Sequence, residues 1–267
     1  MPMNKTDIEY LNYTWNPLAM LCTPVSEGCS GCWHRKRARL LSFNPKISDL
    51  DRKIYAGLIG PRPIKDRLND PLKVKKPSMI GVQFMGDLFH EDVLEWWWIE
   101  IFDVIRRCIA NGGGVGHKFL ILTKRPWTMK LVMEKLNWNG ERLTFNKGTP
   151  FTHLCGDGVL FGVTAENQQR ADDRIPILLQ IPAAKYFVSH EPALGMITYP
   201  KEFLALGDRA WLITGGESGP GARPMHPDIP RHDRDQCQAA GVPFFMKQMA
   251  KRESIPSDLM IREYPNV

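Results

Sequence analysis

No stretch of the 267 residues approaches the ~20 consecutive apolar positions that a membrane-crossing helix needs, so no membrane-spanning role is expected. The opening segment, MPMNKTDIEYLNYTW, carries acidic and polar side chains where a secretory segment needs an apolar centre. The expected location is therefore the cytoplasm, where structural disulfides are rare. That weakens an oxidised reading of the six cysteines. No G-x-G-x-x-G follows an early apolar run, which argues against a dinucleotide-binding Rossmann sheet. A second C-x2-C is also missing, so the chain has no zinc ribbon. Internal repeats and low-complexity tails are absent too, which leaves an ordinary folded chain.

What is present fits one domain over residues 1–267. Hydrophobic residues make up 43% and charged residues 24%, the balance of a globular chain that buries a sizeable core. Thirty-five Lys and Arg against 29 Asp and Glu leave a net charge of +6. That excess suits a phosphate-bearing partner, and an uncomplexed basic surface accounts for it equally well.

Two periods alternate along the chain. Short apolar runs occur at 79–85 (MIGVQFM), 118–123 (KFLILT), 159–164 (VLFGVT), 185–189 (KYFVS), 210–214 (AWLIT) and 242–246 (VPFFM), and IEYLNYTW at 8–15 adds a seventh. Most are too short and too continuously apolar for surface helices, and read as strands buried on both faces. Helical patterns lie between them at 91–110, 127–137, 167–181 and 226–240. The first sets Leu94, Trp97, Trp98, Ile101, Phe102, Ile105 and Cys108 on one side, a core stripe. Strand–helix alternation predicts an α/β fold with a parallel (β/α) TIM-like barrel, open or partial with six to seven strands. Residues 43–78, rich in Pro and Lys/Arg, read as a basic insertion. Residues 138–157 read as a second long loop and 251–267 as a tail.

Active sites of parallel α/β folds gather at the carboxyl ends of strands. The residues that follow the runs are Gly86-Asp87, Lys124-Arg125, Glu166-Asn167, His190-Glu191, Gly215-Gly216-Glu217 and Lys247-Gln248. Asp87 and Asn167 also suit helix N-caps. After the first run comes LCTPVSEGCSGCW, with Cys22, Cys29 and Cys32 spaced C-x6-C-x2-C.

Two metal chemistries suit that trio. With His34 as a fourth ligand it forms a structural Cys3His zinc site. Alternatively the three thiolates hold a [4Fe–4S] cluster with one iron open to a small molecule. Gly28 and Gly31 admit close approach of an inorganic group and Pro24 stiffens the loop. Cys155, in the second long loop, is the candidate for any fourth thiolate. A third reading is a barrel hydrolase or glycosylase with Glu191 and Glu217 as acid and base.

The blocks TWNPLAMLCTPVSEGCSGCW, PLKVKKPSMIGVQFMGDLFHEDV, FLILTKRP, GVTAENQQRADDRIPILLQIPA, VSHEPALG and WLITGGESGPGARPM, closing with DQCQAAGVPFFMKQ, run colinearly over about residues 8–250. The chain so resembles the phage Gp37/Gp68 family (DUF5131), which is similar to radical S-adenosylmethionine (SAM) enzymes. The resemblance implies a [4Fe–4S] cluster on Cys22, Cys29 and Cys32, SAM as second cofactor, and an external one-electron reductant. It implies SAM contacts from Asp87, Arg125, Glu166, Asn167, Gly215 and Gly216, and catalytic roles for Lys124, Glu191 and Glu217. The implied substrate is a nucleic acid or nucleotide, with rearrangement or modification of a thymidine-type base in phage DNA. Arg35, Lys36, Arg37, Arg39, Lys73, Lys75, Lys76 and Arg223 are then candidates for phosphate contacts. The first cysteine gap is longer than the C-x3-C-x2-C of radical SAM enzymes.

Overall fold

The computed structural model describes residues 3–109, 114–219 and 221–266, in two compact units. The first unit comprises residues 1–23, 32–121 and 127–159. Its central strands are β1 (Asn4–Lys5), β2 (Tyr13–Trp15), β5 (Met79–Val82) and β6 (Lys118–Thr123). A short antiparallel ladder joins β1 to β2, while β2, β5 and β6 run parallel, with Tyr13 opposite Ile80 and Met79 opposite Lys118. The run at 79–85 stops as a strand at Val82. Gln83 takes a positive φ of 52°, and its side chain bonds both backbone groups of Leu18, accepting at 3.0 Å and donating at 3.1 Å. Its own amide donates to the Trp15 carbonyl at 2.8 Å, so one buried side chain ends the strand and stitches the next loop to it.

Helix α1 (Trp33–Ser42) follows the cysteine segment directly, with Cys32 at its N-cap. The insertion at 43–78 is not the irregular excursion expected. It contains α2 (Asp49–Tyr55), capped by the Ser48 hydroxyl, and α3 (Lys65–Leu68), and β4 (Arg62–Pro63) pairs with β3 (Leu18–Ala19). Local side-chain caps outweigh the proline content here.

Helix α4 spans Glu95–Cys108, shorter than the periodic stretch at 91–110, of which residue 110 lies outside the described residues. The apolar stripe is buried as expected except at Leu94, which stands exposed at the N-cap because residues 87–93 form consecutive turns. Helix α5 covers Pro126–Lys135. The supposed loop at 138–157 is ordered. It folds as β7 (Asn137–Trp138), β8 (Leu143–Thr144) and β9 (Thr149–Pro150) in a small antiparallel sheet, followed by α6 (Phe151–Cys155).

The second unit comprises residues 24–31, 122–126 and 160–267. Four parallel strands form it: β10 (Val159–Thr164), β11 (Lys185–His190), β12 (Leu212–Gly215) and β13 (Phe244–Gln248). Helices α7 (Gln168–Leu178), α8 (Lys201–Leu204) and α9 (Asp228–Ala240) lie between strands in the chain. Asn167 caps α7 by accepting from the Arg170 amide at 3.1 Å, and Gly241 ends α9 in the left-handed region. The C-terminal segment is more than a tail. Met246 donates to Ile261 at 3.1 Å, Glu263 to Phe244 at 3.0 Å, and Leu259 is fully buried.

The α/β class is thus as expected: parallel strands alternating with helices, in an open (β/α) arrangement. All seven anticipated strands form, and no eighth parallel strand occurs among the described residues. Nor is any described helix long and apolar enough to cross a membrane.

Candidate functional site

The middle of the cysteine segment, residues 24–31, belongs to the second unit, and its acidic and hydroxyl side chains are clamped there. Ser26 donates its hydroxyl to Glu166, the residue two past the end of β10. Glu166 is fully buried and also takes an ion pair from Lys124 and another from Arg174, whose guanidinium lies 2.9 Å away on α7. Burial pushes the Glu166 carboxyl up, but the charges of Lys124 and Arg174 outweigh it and hold the group below its ordinary range. A buried carboxylate with two cations and a hydroxyl is fully engaged, so Glu166 is an anchor for the cysteine loop.

A second clamp is built on Glu27. Arg170 donates to it from Nε at 3.2 Å and from a terminal nitrogen at 3.1 Å, and the Asn167 amide donates as well. Asn167 therefore caps α7 and ties that cap to the loop. The third clamp comes from beyond β12. Glu217 accepts from Arg223, through the backbone amide at 2.9 Å and Nε at 3.2 Å, and Arg223 reaches on to the Glu27 carbonyl at 3.2 Å. A Cβ on Gly28 would run into the Glu166 carboxylate, and one on Gly31 into that of Glu217. Glycine at both positions lets the loop lie directly on these acids.

Cys29 sits at the centre of the clamped loop. Burial raises its thiol pKa, but hydrogen bonding from the Val25 and Ser26 backbone and the nearby charge of Lys124 bring it below the ordinary value. Thiolate character is what a metal requires. The other two candidate ligands belong to the first unit. The Cys22 thiol donates to the Thr23 carbonyl at 3.5 Å, and the Thr23 hydroxyl lies 3.0 Å from His90 Nε2 and donates to Glu91 at 3.1 Å. Both partners follow Asp87, whose carboxylate accepts from the Phe89 amide at 3.0 Å. Cys32 is partly exposed at the start of α1.

His34 turns inward. Its Nε2 lies 3.4 Å from the Cys22 amide and accepts from it, and burial followed by the charge of Arg35 brings its pKa down to about 4. Cys155 is fully buried on α6, its thiol donating to the Thr152 carbonyl at 3.4 Å and pushed up to about 12 by burial. It is not a loop thiol in waiting. Cys108 is likewise buried and raised to about 12, and Cys237 is raised too.

The remaining strand-end residues lie in the second unit. Glu191 pairs with Lys247 at 2.8 Å and accepts from the Ser189 hydroxyl at 3.3 Å. A Cβ on Gly215 would meet the Glu191 carboxylate, and one on Gly216 the backbone of Met249 and Ala250. Protein atoms thus make the close approach at both glycines. Arg125 is largely buried, its amide donating to the Thr123 hydroxyl at 2.9 Å.

The structure also reveals partners that sequence reasoning missed: Ser26, Glu27, Arg170 and Arg174. Arg170 and Arg174 stand four apart on α7, just after Glu166, a spacing that puts both on one helix face. A further network was not anticipated at all. Asp233 on α9 is fully buried, 2.7 Å from His190 Nδ1, 2.7 Å from the Thr214 hydroxyl and 3.1 Å from the Tyr199 hydroxyl.

A family model described as a protein of unknown function (DUF5131) matches residues 5–259. The chain belongs to the DUF5131 family. No curated protein and no solved structure matches it. For this DUF5131 chain the fit to a cluster therefore rests on donor chemistry. Among the described residues, no three His, Cys, Asp or Glu side chains already converge as a metal site. The donors do fit thiolate-held iron: three loop thiols outside the apolar core, one with lowered pKa, set apart from three inert buried ones.

Proposed function

We propose that this protein is a radical-SAM-type enzyme that abstracts hydrogen from a nucleic-acid or nucleotide substrate. The observation that carries this is the lowered thiol of Cys29, in a glycine-bearing loop pinned by three acid–cation clamps. Cys22, Cys29 and Cys32 would hold a [4Fe–4S] cluster through three irons, leaving the fourth to SAM. When bound, the two supply one-electron cleavage of a sulfonium carbon–sulfur bond and removal of a hydrogen atom from substrate.

The chain's own residues position and insulate. Glu166, Lys124 and Arg174 fix the loop, so Lys124 acts through Glu166 to shape the site. Arg125 offers a planar guanidinium suited to a carboxylate such as that of a methionine moiety. Glu217 and Glu191, held by Arg223 and Lys247, are acceptors for amino or hydroxyl groups. The family resemblance and the net charge of +6 support a phosphate-bearing substrate, with Lys75 and Lys76 exposed for it. The Cys3His zinc reading has less support, because His34 Nε2 accepts from the Cys22 amide.

Purification without oxygen tests the reading. About four irons and four sulfides per chain, lost in Cys29→Ala, are expected, with 5′-deoxyadenosine formed after reduction in the presence of SAM. Stoichiometric zinc without sulfide overturns it.

A further inference from the structure

The hairpin of α1 and α2, with the turn after it, exposes six large apolar side chains: Trp33, Leu40, Phe43, Leu50, Leu58 and Ile59. Phe43 is 79% exposed and Leu58 73%, values that a folded chain spends on a partner more often than on water. The same α1 carries Arg35, Lys36, Arg37 and Arg39 and no acidic residue. Arg35, Arg37 and Arg39 pair with no acidic side chain among the described residues. On α2 the cations are matched: Arg52 and Lys53 reach Asp49 at 3.2 and 2.9 Å. Arg62 on β4 likewise reaches Asp51 at 2.8 Å. Unmatched positive charge therefore concentrates on the helix that also presents Trp33 and Leu40.

The pattern discriminates among occupants. Four of the six apolar groups are aliphatic, and Leu or Ile neither stacks on a base nor gains from a phosphate. A nucleic acid would leave them wet. A lipid surface would have to take Lys36 and Arg37 along with Trp33 and Leu40, since helical spacing sets those cations between the two apolar groups. A second copy of this chain would bring one basic helix against another. What remains is an acidic protein with an apolar centre.

We propose that the α1–α2 face docks an acidic electron-carrier protein, the external source of the electron that the proposed reaction consumes. This deepens the reading above and rests on it. Trp33, exposed, immediately follows Cys32, so the patch starts one residue from a candidate ligand. Electron-transfer encounters are small and transient, which an apolar cluster with a cationic surround suits. In the step, one electron leaves the reduced flavin of the carrier and one enters the cysteine-held group. No bond forms or breaks.

The test uses the holoprotein purified without oxygen and a labelled acidic flavodoxin as probe. Association measured by anisotropy at about 50 mM salt should weaken at about 300 mM. Combining Arg35→Glu, Arg37→Glu and Arg39→Glu, all exposed, should lower the affinity by about tenfold or more. The same variant should lose flavodoxin-supported 5′-deoxyadenosine in proportion and keep the dithionite-supported yield. A second variant, Leu40→Ser with Phe43→Ser, should weaken association without changing the charge. No association by wild type overturns the docking proposal, as does association indifferent to both variants. So does tight binding of a single-stranded oligonucleotide or an anionic vesicle that the charge reversal abolishes. Failure of dithionite-supported cleavage in wild type would instead strike the enzymatic reading, leaving the association result to stand by itself.

Discussion

The carboxylate of Glu166 fills the volume that any side chain on residue 28 would need. Because Ser26, Lys124 and Arg174 hold that carboxylate, it has no easy retreat. Gly28→Ala should therefore displace the loop and lower stability by about 1–3 kcal/mol in thermal or denaturant unfolding. Gly31→Ala should cost less, since its obstacle, Glu217, keeps 9% side-chain exposure against 0% for Glu166. Equal losses would count against the clamp.

Glu166→Gln keeps the volume and removes the charge that Lys124 and Arg174 are paired with. Losing one partner of a buried charge cluster should cost about 3–5 kcal/mol at neutral pH. The pH dependence has a definite sign. The folded pKa lies below the ordinary 4.5, so the stabilisation is complete above that value and fades as pH falls below it. Denaturant midpoints measured on acidification should fall more steeply in wild type than in Glu166→Gln.

Alkylation of the native, metal-free chain should divide the thiols into two classes. Cys22, Cys29 and Cys32 should react with iodoacetamide within minutes, and Cys108, Cys155 and Cys237 only on unfolding, as read by peptide mass spectrometry. Cys155→Ala should leave iron content unchanged. A drop in iron would restore Cys155 as a ligand.

Asp233 serves three buried partners at once. Asp233→Ala should cost roughly 3 kcal/mol in unfolding free energy, because His190, Thr214 and Tyr199 each lose an acceptor where water is excluded. Tyr199→Phe removes one of those bonds and should cost about 1 kcal/mol. If the two variants melt together, the network is not acting as a unit.

Much of the fold was legible in the chain because its signals are local. The strands at 118–123 and 159–164 form over the same residues as the apolar runs, and α9 begins and ends within two residues of its pattern. Boundaries slipped where a single side chain intervened, as Gln83 does at the end of β5. The segments at 43–78 and 138–157 misled for a related reason. Their short helices and strands are held by caps and ladders too brief to leave a period.

The sequence by itself determined the parallel α/β class and the cysteine spacing, and it brought charged residues to the strand ends. Those properties are written within a few residues of one another, in hydrophobic period and residue type. Only the tertiary structure decided what those charges do. Ser26 meets Glu166 across 140 positions, and Arg223 meets the Glu27 carbonyl across 196, pairings no local pattern encodes. It decided likewise that Cys155 is inert and Cys29 is not. A thiol's ionisation depends on burial and on neighbouring charge, and both are set by which distant segments pack against it.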